Sequence, residues 1–200
     1  MRADVLRACD EARRHGFAGV CVAPSWLPVA AEALAGSAVL PVTVAGFPLG
    51  ATLPEVKAYE AQRCIAAGAS EIDMVIHVGA LKDERYAYVL RDIATVVQAC
   101  HARDATLKVI IEAAPLTDEE KVMASHLAKQ AKADFVKTST GFGPWGAKAE
   151  DVALMRRTVG PEMGIKAAGG IRTYADACAM VGAGATRIGA SAGVPPLLPP

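Results

Sequence analysis

Short apolar runs alternate with longer amphipathic segments along the chain. Seven of these runs, rich in β-branched residues, predict strands: FAGVCVA, VLPVTVAGF, EIDMVIHVG, LKVIIEAA, ADFVKTST, MGIKAAGG and ATRIGAS. Because apolar residues occupy consecutive positions in them, the runs are typical of strands that are covered on both faces. Strand and helix patterns that alternate in this way indicate an α/β fold with parallel strands.

Helices are predicted between the strands by capping signals and by apolar spacing. In three places a threonine that could cap a helix precedes a carboxylate by three residues: Thr52 and Glu55, Thr117 and Glu120, and Thr173 and Asp176. A fourth helix is predicted from apolar residues that recur every three or four positions: Tyr86, Leu90, Ile93, Val97 and Cys100. We expect that face to cover the sheet.

Repeated strand and helix units fit either an open doubly wound sheet or a closed barrel. The spacing of three lysines favours the barrel, because Lys108, Lys137 and Lys166 are each 29 residues apart and suggest units of equal length with lysine at equivalent positions. The glycine-rich turns also follow the last two predicted strands, as in barrels that bind phosphate there. We therefore predict an α/β fold of the TIM (β/α)8 barrel type.

Composition narrows the class of protein. The chain has 200 residues, 52% of them hydrophobic and 21% charged, which suits one domain over residues 1–200. Basic and acidic residues number 21 each, and no basic block suggests a nucleic-acid partner. The N-terminal segment is amphipathic and charged, and no run of about 18 uncharged apolar residues occurs, so secretion and membrane insertion are disfavoured.

The cysteines bear on the cellular compartment. Five are scattered through the chain without CxxC spacing: Cys9, Cys21, Cys64, Cys100 and Cys178. Because they fall mostly within alanine-rich helix or strand patterns, we expect them to be reduced core residues of a cytoplasmic protein.

Two lysines at the ends of neighbouring predicted strands are the strongest sign of chemistry. Lys137 ends an apolar run and is followed by hydroxyl residues and glycine, and Lys166 takes the corresponding place on the next strand. Two ammonium groups that point into one interior lower the proton affinity of at least one of them, and a neutral amine is a nucleophile. We predict Lys137 as a nucleophile that forms a Schiff base, and Lys166 as the cation that keeps it neutral.

A carboxylate and a third lysine complete the predicted interior group. Asp73 interrupts an apolar strand and needs a partner there; it is either a structural ion-pair residue or the group that moves protons for the lysine. The other interior ionisable groups favour proton transfer. Lys108 shares its strand face with Glu112, and we expect it to neutralise Glu112 in a supporting role.

Hydroxyl groups and glycines near these strand ends predict a substrate site. After Lys137 the chain supplies hydroxyl and amide donors at Thr138, Thr140 and Gly141. Glycine turns after the last two strands expose backbone N–H groups to an anion and predict a phosphate site at Gly169, Gly170, Gly189 and Ser191. Histidine, cysteine and carboxylate residues show no metal-ligand spacing, so we expect neither a metal nor a cofactor.

Several of these segments together resemble a known family. GFPLGAT, EIDMVIHVGALK, KVIIEAAPLTDEE, ADFVKTSTGFGPWGA, EDVALM, IKAAGGIRT and RIGASAGV, in this order and spacing, resemble class I deoxyribose-phosphate aldolase. The resemblance extends from Val5 to Val194. It implies a TIM barrel that cleaves 2-deoxy-D-ribose 5-phosphate reversibly to D-glyceraldehyde 3-phosphate and acetaldehyde without a metal. It also places the family's Schiff-base lysine on Lys137, its auxiliary lysine on Lys166 and its proton-transferring aspartate on Asp73.

The chain departs from the family pattern at both ends. It starts after the segment resembling IDHTLL that forms the family's first strand, and its tail VPPLLPP leaves no room for a final helix. The resemblance therefore predicts a barrel that lacks its first strand and final helix. Cys21, near a strand end, is a candidate supporting residue. Alternatives are a catalytically impaired barrel that binds a sugar phosphate, and an imine-forming aldolase for another phosphorylated sugar. By analogy with similar barrels, we expect a homo-oligomer.

Overall fold

Seven strands form one sheet in the computed structural model of this protein, which describes residues 1–191. The strands are β1 (Gly19–Cys21), β2 (Leu40–Ala45), β3 (Glu71–Val75), β4 (Thr106–Ile110), β5 (Phe135–Lys137), β6 (Gly164–Ala168) and β7 (Arg187–Gly189). They lie side by side in chain order, and each pairs in parallel with the next. Six strands fall inside their predicted runs, and β4 begins one residue before its run, so the prediction of seven parallel strands is confirmed.

Helices connect the strands and cover the sheet. They are α1 (Arg2–His15), α2 (Leu27–Leu34), α3 (Pro54–Ala66), α4 (Val78–Lys82), α5 (Tyr86–His101), α6 (Asp118–Gln130), α7 (Ala149–Val159) and α8 (Tyr174–Gly182), with a 3-10 turn at Pro24–Trp26. Side chains alternate across β3: Ile72 and Met74 are fully buried in the apolar core that the strands share with the helices, whereas Asp73 faces the other way. None of the described helices is long and apolar enough to cross a membrane.

The sheet curls into an incomplete barrel. Asp73 on β3 and Lys166 on β6 are three strands apart, yet their side chains are 2.7 Å from each other. A flat sheet with strands about 4.8 Å apart would keep them well out of reach, so the strands must bend around a common interior. Within residues 1–191, β1 and β7 form the two edges and do not pair with each other. The prediction about a final helix concerns residues 192–200, outside the described part of the chain.

Two of the three predicted capping pairs begin helices. The Thr117 hydroxyl accepts a hydrogen bond from the amide of Glu120, and the carboxylate of Glu120 accepts one from the amide of Thr117. Thr173 and Asp176 make the same pair of hydrogen bonds. The prediction for Thr52 and Glu55 is wrong, because α3 is capped by Leu53 without a side-chain bond. Pro54 takes the first helical position, where its missing N–H costs nothing, and this places Thr52 one residue too early.

The apolar face of α5 is rotated slightly from the predicted one. Ile93, Val97 and Cys100 are buried as expected, but Val89 and Val96 are fully buried as well. Tyr86 and Leu90 lie at the border of the core and are only partly buried. The helix therefore covers the sheet, with its buried face centred on Val89, Ile93 and Val96.

A buried ion pair ties two of these helices to the end of β3. The Nζ atom of Lys57 on α3 donates to Asp92 Oδ2 on α5 at 2.6 Å and to the carbonyl oxygen of Val75 at 2.8 Å. Burial lowers the pKa of Lys57 and raises that of Asp92. The attraction between the two opposite charges partly offsets both changes. This contact fixes the strand end that carries Asp73.

The cysteines only partly match their predicted positions. Cys9, Cys64 and Cys100 are buried, but Cys21 and Cys178 are exposed, so the prediction of a core position is wrong for these two. Cys21 is the last residue of β1, which has no neighbour on one side within the described residues. Cys178 lies on α8, of which only Met180 is buried.

Candidate active site

One buried carboxylate collects three lysines in the interior of the curled sheet. Asp73 is fully buried, and its Oδ1 atom accepts a hydrogen bond from Lys108 Nζ at 2.8 Å. Its Oδ2 atom accepts hydrogen bonds from Lys137 Nζ and Lys166 Nζ, both at 2.7 Å. The structure thus brings together the three side chains that the sequence analysis assigns to catalysis.

Strand register explains the meeting of these side chains. Lys137 pairs with Lys166 across β5 and β6, so the two lysines stand at the same height on adjacent strands. Asp73 pairs with Lys108, but the neighbour of Lys137 on β4 is Ile110. The prediction that all three lysines occupy equivalent positions is therefore wrong for Lys108, which lies two residues lower on its strand.

Lys108 has a different partner from the predicted one. Its Nζ atom is 2.6 Å from Glu71 Oε2, in addition to its bond with Asp73, and it does not pair with Glu112. Glu71 also contacts Arg187 at 3.2 Å. Glu112 lies beyond the end of β4, too high on the sheet to meet a lysine near the start of that strand. The alternation along β3 offered a signal for Glu71, since it lies on the same face as Asp73.

The charges around Asp73 separate the two strand-end lysines. Burial lowers the pKa of Lys137, the charge of Asp73 opposes this, and the neighbouring Lys166 lowers it further. Burial also disfavours a charged Lys166, but the charge of Asp73, assisted by that of Glu71, raises the pKa of Lys166 above its usual value. Of the two, Lys137 is thus the more readily deprotonated.

The carboxylate itself stays ionised. Burial alone would raise the pKa of Asp73, but the charges of Lys137, Lys166 and Lys108 outweigh burial and hold that pKa well below its usual range. Asp73 can therefore accept a proton only transiently, when one of its cationic partners is neutralised. The site thus contains an anion at Asp73, a cation at Lys166 and an amine at Lys137 that readily loses its proton. This combination is suited to the formation of an imine.

The hydroxyl groups after Lys137 are engaged within the protein. Thr138 is fully buried, and its Oγ1 atom donates to the carbonyl of Ala168 at 3.2 Å and accepts from the amide of Ala168 at 3.1 Å. Thr138 thus joins β5 to β6, and its hydroxyl is not available to a substrate. Alternation is the reason, because Lys137 faces the interior and the next side chain faces away. Thr140 is partly exposed, and its hydroxyl donates to Glu112.

The predicted phosphate-binding glycines lie side by side at the ends of β6 and β7. Ala168 pairs with Gly189, so the turn at Gly169 and Gly170 lies next to Gly189 and Ser191. Gly169 and Gly170 have φ values of 85° and 76°, a region that favours glycine. Gly141 has φ 90°, and its Cα atom would lie 3.5 Å from a Cβ at Gly169, so the two turns pack together.

Cys21 lies near the charged cluster and at the open edge of the sheet. The Cys21 residue is exposed at this edge, but the protein that surrounds its thiol on the other sides removes solvent and raises the pKa of the thiol, and the charge of Asp73 adds to this. The thiolate is therefore a minor form near neutral pH. Within residues 1–191, no group of three or more histidine, cysteine or carboxylate side chains is placed to hold a metal ion.

Comparison with known proteins gives a consistent result. The model of the DeoC/LacD family of aldolases matches residues 2–195. Deoxyribose-phosphate aldolase of Thermococcus kodakarensis is 58% identical over 193 residues, which are 96% of this chain and 86% of that protein. The enzyme of the same name from Enterococcus faecalis is 58% identical over 192 residues, 96% of this chain and 87% of that protein.

Solved structures agree. A putative deoxyribose-phosphate aldolase from Coccidioides immitis superposes with a TM-score of 0.90 at 44% identity, covering 95% of this chain and 76% of that one. The tetrameric deoxyribose phosphate aldolase from Aeropyrum pernix superposes with a TM-score of 0.91 at 35% identity, covering 98% of this chain and 83% of that one.

Proposed function

Because this chain belongs to the DeoC/LacD family of aldolases, we propose that it cleaves 2-deoxy-D-ribose 5-phosphate reversibly to D-glyceraldehyde 3-phosphate and acetaldehyde. We assign the Schiff base to Lys137, the retained cation to Lys166 and proton transfer to Asp73. The carrying observation is that Lys137 and Lys166 share one carboxylate oxygen of Asp73 while burial and neighbouring charges push their pKa values apart.

In the first half of the reaction the neutral amine of Lys137 attacks the aldehyde carbon of the open-chain sugar. The resulting carbinolamine loses water to give a protonated imine. Asp73, directly or through a water molecule, takes a proton from the nitrogen and returns one to the departing hydroxyl. Asp73 Oδ2 accepts hydrogen bonds from both Lys137 Nζ and Lys166 Nζ at 2.7 Å, so a proton acceptor and a second cation lie beside the amine.

Carbon–carbon cleavage follows from the positive charge of the imine. The bond between C2 and C3 breaks, its electron pair becomes the double bond of an enamine on Lys137, and the proton of the C3 hydroxyl is removed as the new aldehyde forms. Proton transfer to C2 then gives the imine of acetaldehyde. Water adds to that imine, acetaldehyde leaves and the amine of Lys137 is restored.

The phosphate end of the substrate would rest on the glycine turns. Gly169, Gly170, Gly189 and Ser191 adjoin one another at the ends of β6 and β7, where backbone N–H groups can contact phosphate oxygens. Lys166 lies on the strand that leads into the first of these turns. The position of the turns relative to Lys137 supports a substrate that carries its aldehyde and its phosphate at opposite ends.

Trapping with borohydride tests the assignment of the Schiff base. We expect that reduction in the presence of acetaldehyde adds the mass of one ethyl group to the protein, and that peptide mapping finds it on Lys137. The same treatment without borohydride should leave no stable adduct. An ethyl group on Lys166, or none on the folded protein, would contradict the assignment.

A barrel that binds a sugar phosphate without turnover is the second candidate. It is favoured by β1 and β7, which within residues 1–191 have no strand partner on one side, and by the exposure of Cys21 at the end of β1. Release of D-glyceraldehyde 3-phosphate, followed with a coupled dehydrogenase, separates the two candidates. Binding of the sugar phosphate with no such release would support the second.

We also propose that the protein forms a homo-oligomer. The Aeropyrum pernix relative is described as tetrameric, and the start of α3 exposes three large apolar side chains on one face: Leu53, Val56 and Tyr59. Sedimentation velocity is expected to give a mass of more than one chain, and Tyr59→Asp to lower it. A monomer at micromolar concentration would contradict this proposal.

A cytoplasmic location is proposed as well. All five cysteines are free thiols, and proteins in oxidising compartments tend to form disulfides.

A further inference from the structure

Glu112 occupies a position that the proposed reaction does not yet use. It lies just beyond β4, where backbone pairing continues: the amide of Ile111 donates to the carbonyl of Lys137 at 3.0 Å, and that of Ala113 to the carbonyl of Thr138 at 2.8 Å. Glu112 has φ 51°, a left-handed conformation that is rare for residues other than glycine. Such backbone conformations cluster at functional sites, which suggests a functional role for the Glu112 side chain.

The carboxylate of Glu112 holds the loop that follows the Schiff-base strand. Its Oε2 atom accepts a hydrogen bond from the amide of Thr140 at 3.2 Å and a second, short one from the Thr140 hydroxyl. The Thr140 hydroxyl in turn accepts a hydrogen bond from the amide of Phe142 at 3.1 Å. The ring of Phe142 packs edge-on against Phe47 from the loop after β2, with 5.5 Å between the ring centroids.

These bonds fix the hydrogen-bonding character of the Thr140 side chain. A hydroxyl group has one proton to donate and two lone pairs that accept. The hydroxyl donates its hydrogen bond to Glu112, and one of its lone pairs accepts a hydrogen bond from the amide of Phe142. An ionised carboxylate only accepts hydrogen bonds, so it cannot donate one to the Thr140 hydroxyl in return. The partly exposed hydroxyl can therefore offer a ligand only one further lone pair, as an acceptor.

The second oxygen of the carboxylate is enclosed. Glu112 is 9% exposed, and its Oε1 atom is buried with no hydrogen-bond partner within residues 1–191. A Cβ atom on Gly143 would lie 3.1 Å from it, so the loop passes directly over the carboxylate. Glu112 itself is thereby screened from a ligand, and it can act on one only through Thr140.

Thr140 stands between the two ends of the proposed substrate site. It lies three residues after Lys137, and the next residue, Gly141, packs against the turn at Gly169. A substrate that reaches from Lys137 to the glycine turns would carry its middle carbons past Thr140. In the phosphorylated aldehyde that is released, the middle carbon bears a hydroxyl group, which can donate a hydrogen bond.

We propose that Glu112 is a positioning residue that orients the Thr140 hydroxyl to accept a hydrogen bond from the middle hydroxyl of the phosphorylated aldehyde. This inference rests on the proposed aldolase function. It makes Glu112 a determinant of specificity, because a site built to bond a hydroxyl discriminates against the analogue that lacks it.

The test compares two acceptors in the addition of acetaldehyde. One is D-glyceraldehyde 3-phosphate, and the other is 3-phosphonooxypropanal, which carries the same phosphate and aldehyde but no middle hydroxyl. The readout is the ratio of kcat/KM for the two acceptors. We expect Glu112→Gln, which keeps the shape of the side chain, to lower that ratio by about tenfold, since bonds that involve a charged group are the stronger ones.

A double-mutant cycle shows whether Glu112 acts through Thr140. Thr140→Val should lower the ratio by at least as much as Glu112→Gln, and the double variant no further than Thr140→Val alone. The matched control is Glu119→Gln on the exposed start of α6, which should leave the ratio unchanged. Equal losses for both acceptors, an unchanged ratio, or additive effects in the double variant would overturn the proposal.

A separate measurement distinguishes failure of this inference from failure of the proposed function. Exchange of the methyl protons of acetaldehyde with deuterated water needs the imine on Lys137 but no acceptor. The wild-type protein and Glu112→Gln are both expected to catalyse this exchange at similar rates. Absence of exchange in the wild-type protein would overturn the aldolase function, and the role of Glu112 with it, whereas exchange without a change in the acceptor ratio would overturn the role of Glu112 alone.

Discussion

Lys137→Met is expected to abolish cleavage of 2-deoxy-D-ribose 5-phosphate, with a loss in kcat of at least about 10⁴-fold, as when the covalent nucleophile of an enzyme is removed. Methionine has nearly the same length but no amine, so no imine can form. The fold should persist, because Asp73 keeps hydrogen bonds from Lys108 and Lys166. The coupled assay of D-glyceraldehyde 3-phosphate release measures the loss, and circular dichroism checks the fold.

A matched variant makes this result specific. Lys129 is exposed on α6, and Lys129→Met removes the same group at a distance from the charged cluster, so wild-type turnover is expected. Borohydride trapping with acetaldehyde should also fail in Lys137→Met and succeed in Lys129→Met. If Lys137→Met kept substantial turnover, or if the trapped group appeared on Lys166 in the wild-type protein, the roles of the two lysines would have to be exchanged.

Lys166→Met is expected to move the acidic limb of the pH profile of kcat/KM to higher pH. Lys166 lowers the pKa of Lys137 by repulsion and shares Asp73 Oδ2 with it. Without Lys166, both effects end, and the pKa of Lys137 rises. Since only the neutral amine attacks, kcat/KM at pH 7 should fall by at least about tenfold and recover in part as the pH increases through the new pKa of Lys137.

The pH profile separates this electrostatic role from a purely structural one. A structural defect would lower kcat/KM by the same factor at every pH, whereas loss of the neighbouring charge shifts the curve. Lys129→Met should leave the profile in place. An acidic limb that stayed at its wild-type pH, or moved to lower pH, would contradict the view that Lys166 keeps Lys137 neutral.

The positions of the central strands were predictable because these strands are buried on both faces. The runs around Val109 and Ile165 are mostly apolar, and both of these residues are fully buried. The entries of α6 and α8 were predictable for a local reason, since a capping box needs only two residues three positions apart. The same rule failed at Thr52, where the adjacent Pro54 selected a different first residue.

Partners of charged side chains were harder to predict. Strand alternation indicates that Lys108 and Glu112 share a face, but it does not show how far beyond the strand Glu112 lies or that the left-handed backbone at this residue directs its carboxylate to Thr140. Likewise, the sequence predicts the hydroxyl of Thr138 as a substrate ligand, but in the structure this hydroxyl forms two hydrogen bonds with the backbone of Ala168 and joins two strands. Register between strands decides such contacts, and register is a property of the assembled sheet.

The amino-acid sequence alone determined the succession of parallel strands and the family to which the chain belongs. It also selected Lys137, Lys166 and Asp73 as candidate catalytic residues. Both results were accessible because hydrophobic patterns, and ionisable residues within apolar runs, can be read directly along the chain. Only the tertiary structure decided that one oxygen of Asp73 serves both lysines, that Glu71 and not Glu112 balances Lys108, and that Glu112 commits the proton of Thr140. These outcomes depend on the curl of the sheet and on the height of each residue within it, which bring together atoms that are far apart along the chain.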